Sequence, residues 1–99
     1  MKKLINLRWS NYRIQHIARH NVTPDEAEEA LLEDKYRIVR KGASSEKYPG
    51  KHFYYIFGST SEGRLLSVVL LHKGETGYEP ITARDMAASE RKYYLGKRM

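Results

Sequence analysis

Within ITARDMAASERKYY, residues 81–94, Arg84, Glu90 and Tyr94 fall close together. Glu90 and Tyr94 are four apart, so on a helix they share a face. Arg84 would end the strand before that helix, and a strand-to-helix junction is a usual place for reactive groups. A guanidinium presents a planar fork of donors that suits phosphate. A carboxylate can accept a proton and a phenol can give one. The three together would serve acid–base chemistry on a phosphate. They would equally serve a plain Arg84–Glu90 ion pair that fixes the junction, since surface pairs are common and mostly weak.

Arg64 and His72 extend the set. They bracket RLLSVVLLH, and their even separation puts both on one face of a strand. Arg64 is either a phosphate ligand or a solvated strand end. His72 sits at a hairpin mouth, where histidine is unremarkable. His16 and His20 share a helix face, but Ile17 stands where a zincin carries Glu, and no third ligand has a motif-like spacing. No metal site is expected. There is no G-x-S-x-G, and GSTSEG at 58–63 lacks the lysine of a phosphate loop, so Gly58 and Gly63 read as turn residues. With no cysteine, neither disulfides nor thiolate ligands exist. Nothing calls for a cofactor.

These side chains need elements to hold them. Residues 3–9 read as a short first strand or extended lead-in, and SNYRIQHIARHN, residues 10–21, has helical spacing at Ile14, Ile17 and Ala18, with Asn21 able to end the helix in a left-handed turn. VTPDEA is the clearest local signal. Thr23 is a natural N-cap, Pro24 suits the first helical position, and Glu26 completes a capping box. That helix should run from about 24 to 34 with Ala27, Ala30 and Leu31 inward. Strands follow at 35–41, 52–58, 64–72 and 78–84, and a last helix at 86–95 ends at Gly96. Residues 42–50 read as a loop. The 64–72 strand is apolar on both faces and belongs in mid-sheet, while Pro80 argues for an edge or a break. The order predicts an α+β fold: an antiparallel meander with two helices before it and one after.

Ninety-nine residues make one domain, 1–99. The longest apolar run, LLSVVLL, is too short to span a bilayer, and MKKLINLRW lacks the apolar stretch of a signal peptide. Cytoplasm is the default compartment. The net charge of +6 is unevenly spread: half of the 12 acidic residues crowd into 25–34, with no Lys or Arg among them. The remaining surface is strongly basic, which favours polyanions such as RNA. An acidic protein partner suits the same surface.

Taken in order, HIARHNVTPDEAEEAL, YYIFGSTSEGRLLSVVLLH and ITARDMAASERKYY resemble the BrnT-type toxins of type II toxin–antitoxin systems, small ribonucleases of the RelE/ParE-like group. The likeness covers residues 9–94. Trp9, RHNVT at 19–23, GSTSEGR at 58–64, Val68 and Val69, ITAR at 81–84 and ERKYY at 90–94 carry it. The chain departs from the pattern at three places. His52 and Phe53 replace an acidic–arginine pair, Asn21 replaces a glycine, and Ser10 replaces an aspartate. The resemblance implies a RelE-like fold and metal-free RNA cleavage, in which a 2′-hydroxyl attacks the adjacent phosphate. It implies Arg64 and Arg84 converging on the phosphate, Glu90 or His72 as base, and Tyr94 or His52 orienting or donating. It places Lys51, His52, Arg91 and Lys92 against RNA. It also implies a small DNA-binding antitoxin encoded alongside. Two other functions fit the same fold: a non-catalytic RNA- or protein-binding module, and a ParE-like toxin directed at gyrase.

Overall fold

The computed structural model describes residues 7–47, 49–74 and 77–98. In chain order these form α1 (Asn11–Ala18), α2 (Pro24–Glu28) continued by one π-helical turn (Glu29–Glu33), β1 (Ile38–Ser44), β2 (His52–Ser59), β3 (Leu65–His72), β4 (Tyr78–Asp85) and α3 (Ala88–Arg98). The strands make one antiparallel sheet in the order β1-β2-β3-β4. This is the expected α+β meander, with two helical segments before it and one after. The strand expected at 3–9 lies mostly outside the described residues. Within them, Leu7 makes a parallel bridge to Tyr78, and the Arg8 amide donates to the Tyr78 carbonyl at 3.1 Å.

Local chemistry sets the helix ends. The Ser10 hydroxyl accepts the Arg13 amide at 3.1 Å and caps α1. The chain then turns through Asn21 at φ 59°, a left-handed conformation that a short amide side chain tolerates. Thr23 and Glu26 exchange reciprocal hydrogen bonds of 3.0 and 3.2 Å, and Pro24 occupies the first turn. The second helix departs from a regular α-helix at Glu29, and Ala30 and Leu31 are buried on the π turn.

The core lies between these helices and one face of the sheet. Ile17, Val22, Ala27, Ala30 and Leu31 meet Ile56, Leu66, Val68, Leu70 and Ala83. Each large side chain so buried contributes about 1.5–3 kcal/mol, which clamps α1 and α2 onto β2, β3 and β4. β3 is an interior strand as its sequence predicts: Leu66, Val68 and Leu70 point to the helices, and Ser67 and Leu71 are buried on the other side. The β3–β4 register slips between Val69 and Leu70, so that Val69 faces Thr82 and Leu70 faces Pro80. That irregularity is the local break Pro80 predicts.

Three local expectations change. Gly58 is not a turn residue. It sits within β2, and a Cβ there would stand 2.1 Å from the Ala30 carbonyl oxygen, so glycine lets helix and sheet backbones touch. Gly63, at φ 93°, does make the turn. β1 runs on through Gly42, where a Cβ would meet the Tyr55 ring at 2.1 Å. The last helix continues past Gly96 to Arg98.

Candidate functional site

Arg64, at the start of β3, has its donors engaged inside the molecule. Its Nε donates to Asp85 at 2.7 Å, one terminal nitrogen reaches the Asn21 carbonyl at 2.6 Å and Glu26 at 3.2 Å, and the other reaches the His20 carbonyl at 3.1 Å. The hydrogen bond and charge of Asp85, with help from Glu26, raise the Arg64 pKa. Arg64 in turn holds the Asp85 carboxyl below its ordinary value. The side chain ties the α1–α2 junction to the ends of β3 and β4.

Arg84 forms a fork with Glu90, both bonds at 2.9 Å, and also donates to the Asp85 carbonyl at 2.9 Å. Glu90 accepts the Ala87 amide at 2.8 Å, so the same carboxylate caps α3. The Arg84 hydrogen bond keeps Glu90 ionised below the usual carboxylate range. Arg91 donates to the Met86 carbonyl at 3.1 Å. The Arg84–Glu90 pair thus fixes the strand-to-helix junction. Lys92 is exposed on α3.

The expected convergence of Arg64 and Arg84 does not occur. Successive strand residues alternate faces. Asp85, the Arg64 partner, is in register with Leu66 on the helix-covered face, and Arg84 is in register with Ser67 on the face that carries α3. The two guanidinium groups therefore lie on opposite sides of the sheet. Tyr94, expected as a donor near Glu90, is fully buried and donates its hydroxyl to Asp34. Burial and the Asp34 carboxylate push its pKa up to about 12.

His72 shares a face with Arg64, as their spacing predicts, but at the other end of β3, some ~26 Å away at about 3.3 Å per residue. There it meets different company. His52 is its register partner across β2 and β3, so the two side chains share a face with Cβ atoms roughly 5 Å apart. The His72 ring stacks on Tyr78 at 4.5 Å and meets Tyr54 edge-on at 6.2 Å. His52 Nε2 lies 3.3 Å from the Ser44 hydroxyl. Lys51 precedes one histidine and Lys73 follows the other, and alternation turns the two lysines to the side opposite the histidine rings, toward Glu79.

Beside this row opens a cleft of about 740 Å³ lined by Arg8, Trp9, Ser10, Lys51, Lys73, Tyr78 and Glu79. Glu79, the one carboxylate among its described lining residues, pairs with Lys73 at 2.9 Å and Arg13 at 3.2 Å. Burial raises the Glu79 pKa, but these two cations outweigh it and hold the carboxyl low. Trp9 is fixed by its indole N–H, which donates to Glu28 at 2.7 Å. Three cations and two aromatic rings on an open wall suit a single nucleic-acid strand: cations for phosphates, rings for bases.

The resemblance sets Lys51 and His52 against RNA but names neither Arg8, Lys73 nor Tyr78, which lie beside them. The mirrored Lys–His and His–Lys pairs at the two ends of one hairpin were the available signal. Asp34, which holds the Tyr94 hydroxyl, the Ser59 amide at 2.9 Å and the Tyr36 amide at 2.9 Å, had none. The acidic run is largely a set of internal acceptors: Glu26 takes Arg64, Glu28 takes Trp9, and Glu29 takes the Ser61 amide at 3.0 Å. Among the described residues no group of His, Asp and Glu is arranged to hold a metal ion. No helix among them is long and apolar enough to cross a membrane. Compared with known proteins, the chain matches no family model and no curated sequence.

Proposed function

We propose that the chain is the ribonuclease toxin of a toxin–antitoxin pair, RelE-like in fold, that acts from the cleft end of its sheet. The observation that carries this reading is the cross-strand pair His52 and His72, each with a lysine as chain neighbour, beside a basic, aromatic cleft. Histidine is the side chain best able to give and take protons near neutral pH. In this scheme His72, held by Tyr54 and Tyr78, takes the proton of a ribose 2′-hydroxyl. The oxygen attacks the adjacent phosphorus, the bond to the 5′-oxygen breaks, and protonated His52 supplies the proton that oxygen needs. The products are a 2′,3′-cyclic phosphate and a 5′-hydroxyl. Lys51 and Lys73, chain neighbours of the pair on the cleft side, draw in the phosphates that flank the scissile one, and Trp9 and Tyr78 stack on flanking bases. Arg64, Arg84 and Glu90 act through the frame rather than on the phosphate. A DNA-binding antitoxin would silence the protein by covering the cleft.

The test is purified protein with RNA in EDTA. His52→Ala and His72→Ala should each lower the cleavage rate about 10²–10⁴-fold, the usual share of a positioned acid or base. Cleavage at the parent rate by the double variant would overturn the assignment.

A second reading has its own support. The pairing of Arg64 with Glu26 and Asp85, and of Arg84 with Glu90, removes three groups that the resemblance assigns to chemistry, which favours a module that binds RNA without cutting it. RNA retained but intact in the same assay would establish that reading.

A further inference from the structure

β1 is an edge of the sheet, with β2 on one side and, among the described residues, no strand on the other. The helical layer stops short of it: the π turn after α2 packs on β2 and β3. The consequence shows at Val39. Its register row continues through Ile56, Val68 and Ala83, which are 3%, 0% and 0% exposed, whereas Val39 is 52% exposed. The core thus runs out to the edge of the sheet without a cover. A cavity of about 170 Å³ opens at this place, with Leu31, Tyr54, Ile56 and Val39 in its walls.

Charge restricts what can lie there. Arg37 and Lys41 alternate with Val39 along one face of β1, and Arg40 points to the other. Arg37 donates to the Asp34 carbonyl at 3.0 Å, and Arg40 to the Tyr93 hydroxyl at 2.7 Å. Each bond uses one of the five N–H groups a guanidinium carries. A second copy of the chain is disfavoured, because antiparallel pairing about Val39 would set Arg37 opposite Lys41, like charges face to face.

We propose that β1 is a docking edge for an extended acidic segment of a partner protein, which joins the sheet as a further strand. Backbone hydrogen bonds would supply the affinity common to strand addition, and side chains the choice of partner. Carboxylates would face Arg37, Arg40 and Lys41. Aliphatic side chains would face Ile38 and Val39, and the second would close the open end of the core. The complement of residues 37–41 is acidic–apolar–apolar–acidic–acidic, so Glu-Glu-Val-Val-Glu-Glu satisfies it in either strand direction. The proposal stands on β1 alone, whether or not the chain acts on RNA.

The experiment titrates isotope-labelled full chain with the capped peptide Ser-Glu-Glu-Val-Val-Glu-Glu-Ser and follows backbone amides by NMR. The expected result is saturable binding, with shifts and slowed hydrogen exchange centred on residues 37–44 and weaker affinity at higher salt. The paired reversal Arg40→Glu with Lys41→Glu should lower affinity at least tenfold. Val39→Ser, at an exposed position, should lower it several-fold with the fold intact. The fully N-methylated peptide should not bind. No binding at millimolar peptide, unchanged binding of the N-methylated peptide, or shifts centred away from β1 would overturn the proposal. Dimerisation of the free chain through β1 would overturn it in favour of a second copy.

Discussion

Arg64 and Arg84 sit at the same end of the sheet, yet their guanidinium groups face opposite sides of it, one locked to Asp85 and Glu26, the other to Glu90. Each neutralises carboxylates of its own layer. Neither needs an outside anion to be satisfied, and their consequences for stability differ.

Arg64→Met strips partners from two carbonyls of the α1–α2 turn and two carboxylates at once. It should destabilise the fold by about 2 kcal/mol, or roughly 8–16 °C in Tm for a domain of this size. Arg84→Met breaks a half-exposed pair and should cost about 0–1 kcal/mol. Thermal denaturation of the two variants checks the order. A stable Arg64→Met protein that has lost RNA cleavage would instead give Arg64 a role at the phosphate.

Tyr94 joins α3 to the end of the α2 segment through Asp34. Tyr94→Phe should cost about 1.5–3 kcal/mol, the range for a hydrogen bond to a charged group. The folded pKa of about 12 exceeds the unfolded value near 10. The stability linked to this proton is therefore complete below pH 10 and falls away as pH rises toward 12. Denaturant titrations at pH 9 and 11 should show the parent losing stability and Tyr94→Phe losing less. Parallel losses in the two proteins would refute the assignment.

Three carboxyls, Glu79, Asp85 and Glu90, titrate below their ordinary values because Arg and Lys hold them ionised. Their stabilisation is present above the unfolded carboxyl range, near pH 4, and is lost as pH falls through the lowered folded values. Acid unfolding should therefore steepen below about pH 4. Adding the neutral replacements Glu79→Gln and Glu90→Gln together should lower stability at pH 7 and flatten that acid limb. An acid limb as steep in the double variant would place the protons elsewhere.

Trp9 is the sole tryptophan, and Glu28 holds its indole at the cleft wall. Losing this bond frees the ring without touching a cleft residue. Glu28→Ala should change the emission of Trp9 and weaken RNA binding about two- to fivefold, less than the ~1–3 kcal/mol of a complete stacking contact. Glu29→Ala, whose carboxylate serves the Ser61 turn, should leave both unchanged. Fluorescence titration with a short RNA reads the two effects together. Equal behaviour of the two variants would remove Glu28 from the interface.

Neighbouring positions in the chain determined much of this protein. The capping box at Thr23 and Glu26, the left-handed Asn21, the inward Ala27, Ala30 and Leu31, the two-faced apolar β3 and the break at Pro80 all follow from residues within a few places of one another. Their causes are local: dihedral preferences, short-range hydrogen bonds and the periods of helix and strand. The partnerships of the candidate site were set differently. Spacing alone put Arg64 and His72 on one face at the two ends of a strand, but only the pairing of β2 with β3 gave His72 its partner His52. Alternation along β4 sent Arg84 away from Arg64, because the register with Ser67 and Leu66 decides which face each residue takes. The pairing of His52 with His72, the anchoring of Trp9 by Glu28 and the burial of Tyr94 against Asp34 join residues 19 to 60 positions apart. Contacts at such separations form only when packing of the core fixes the register, so no local pattern encodes them.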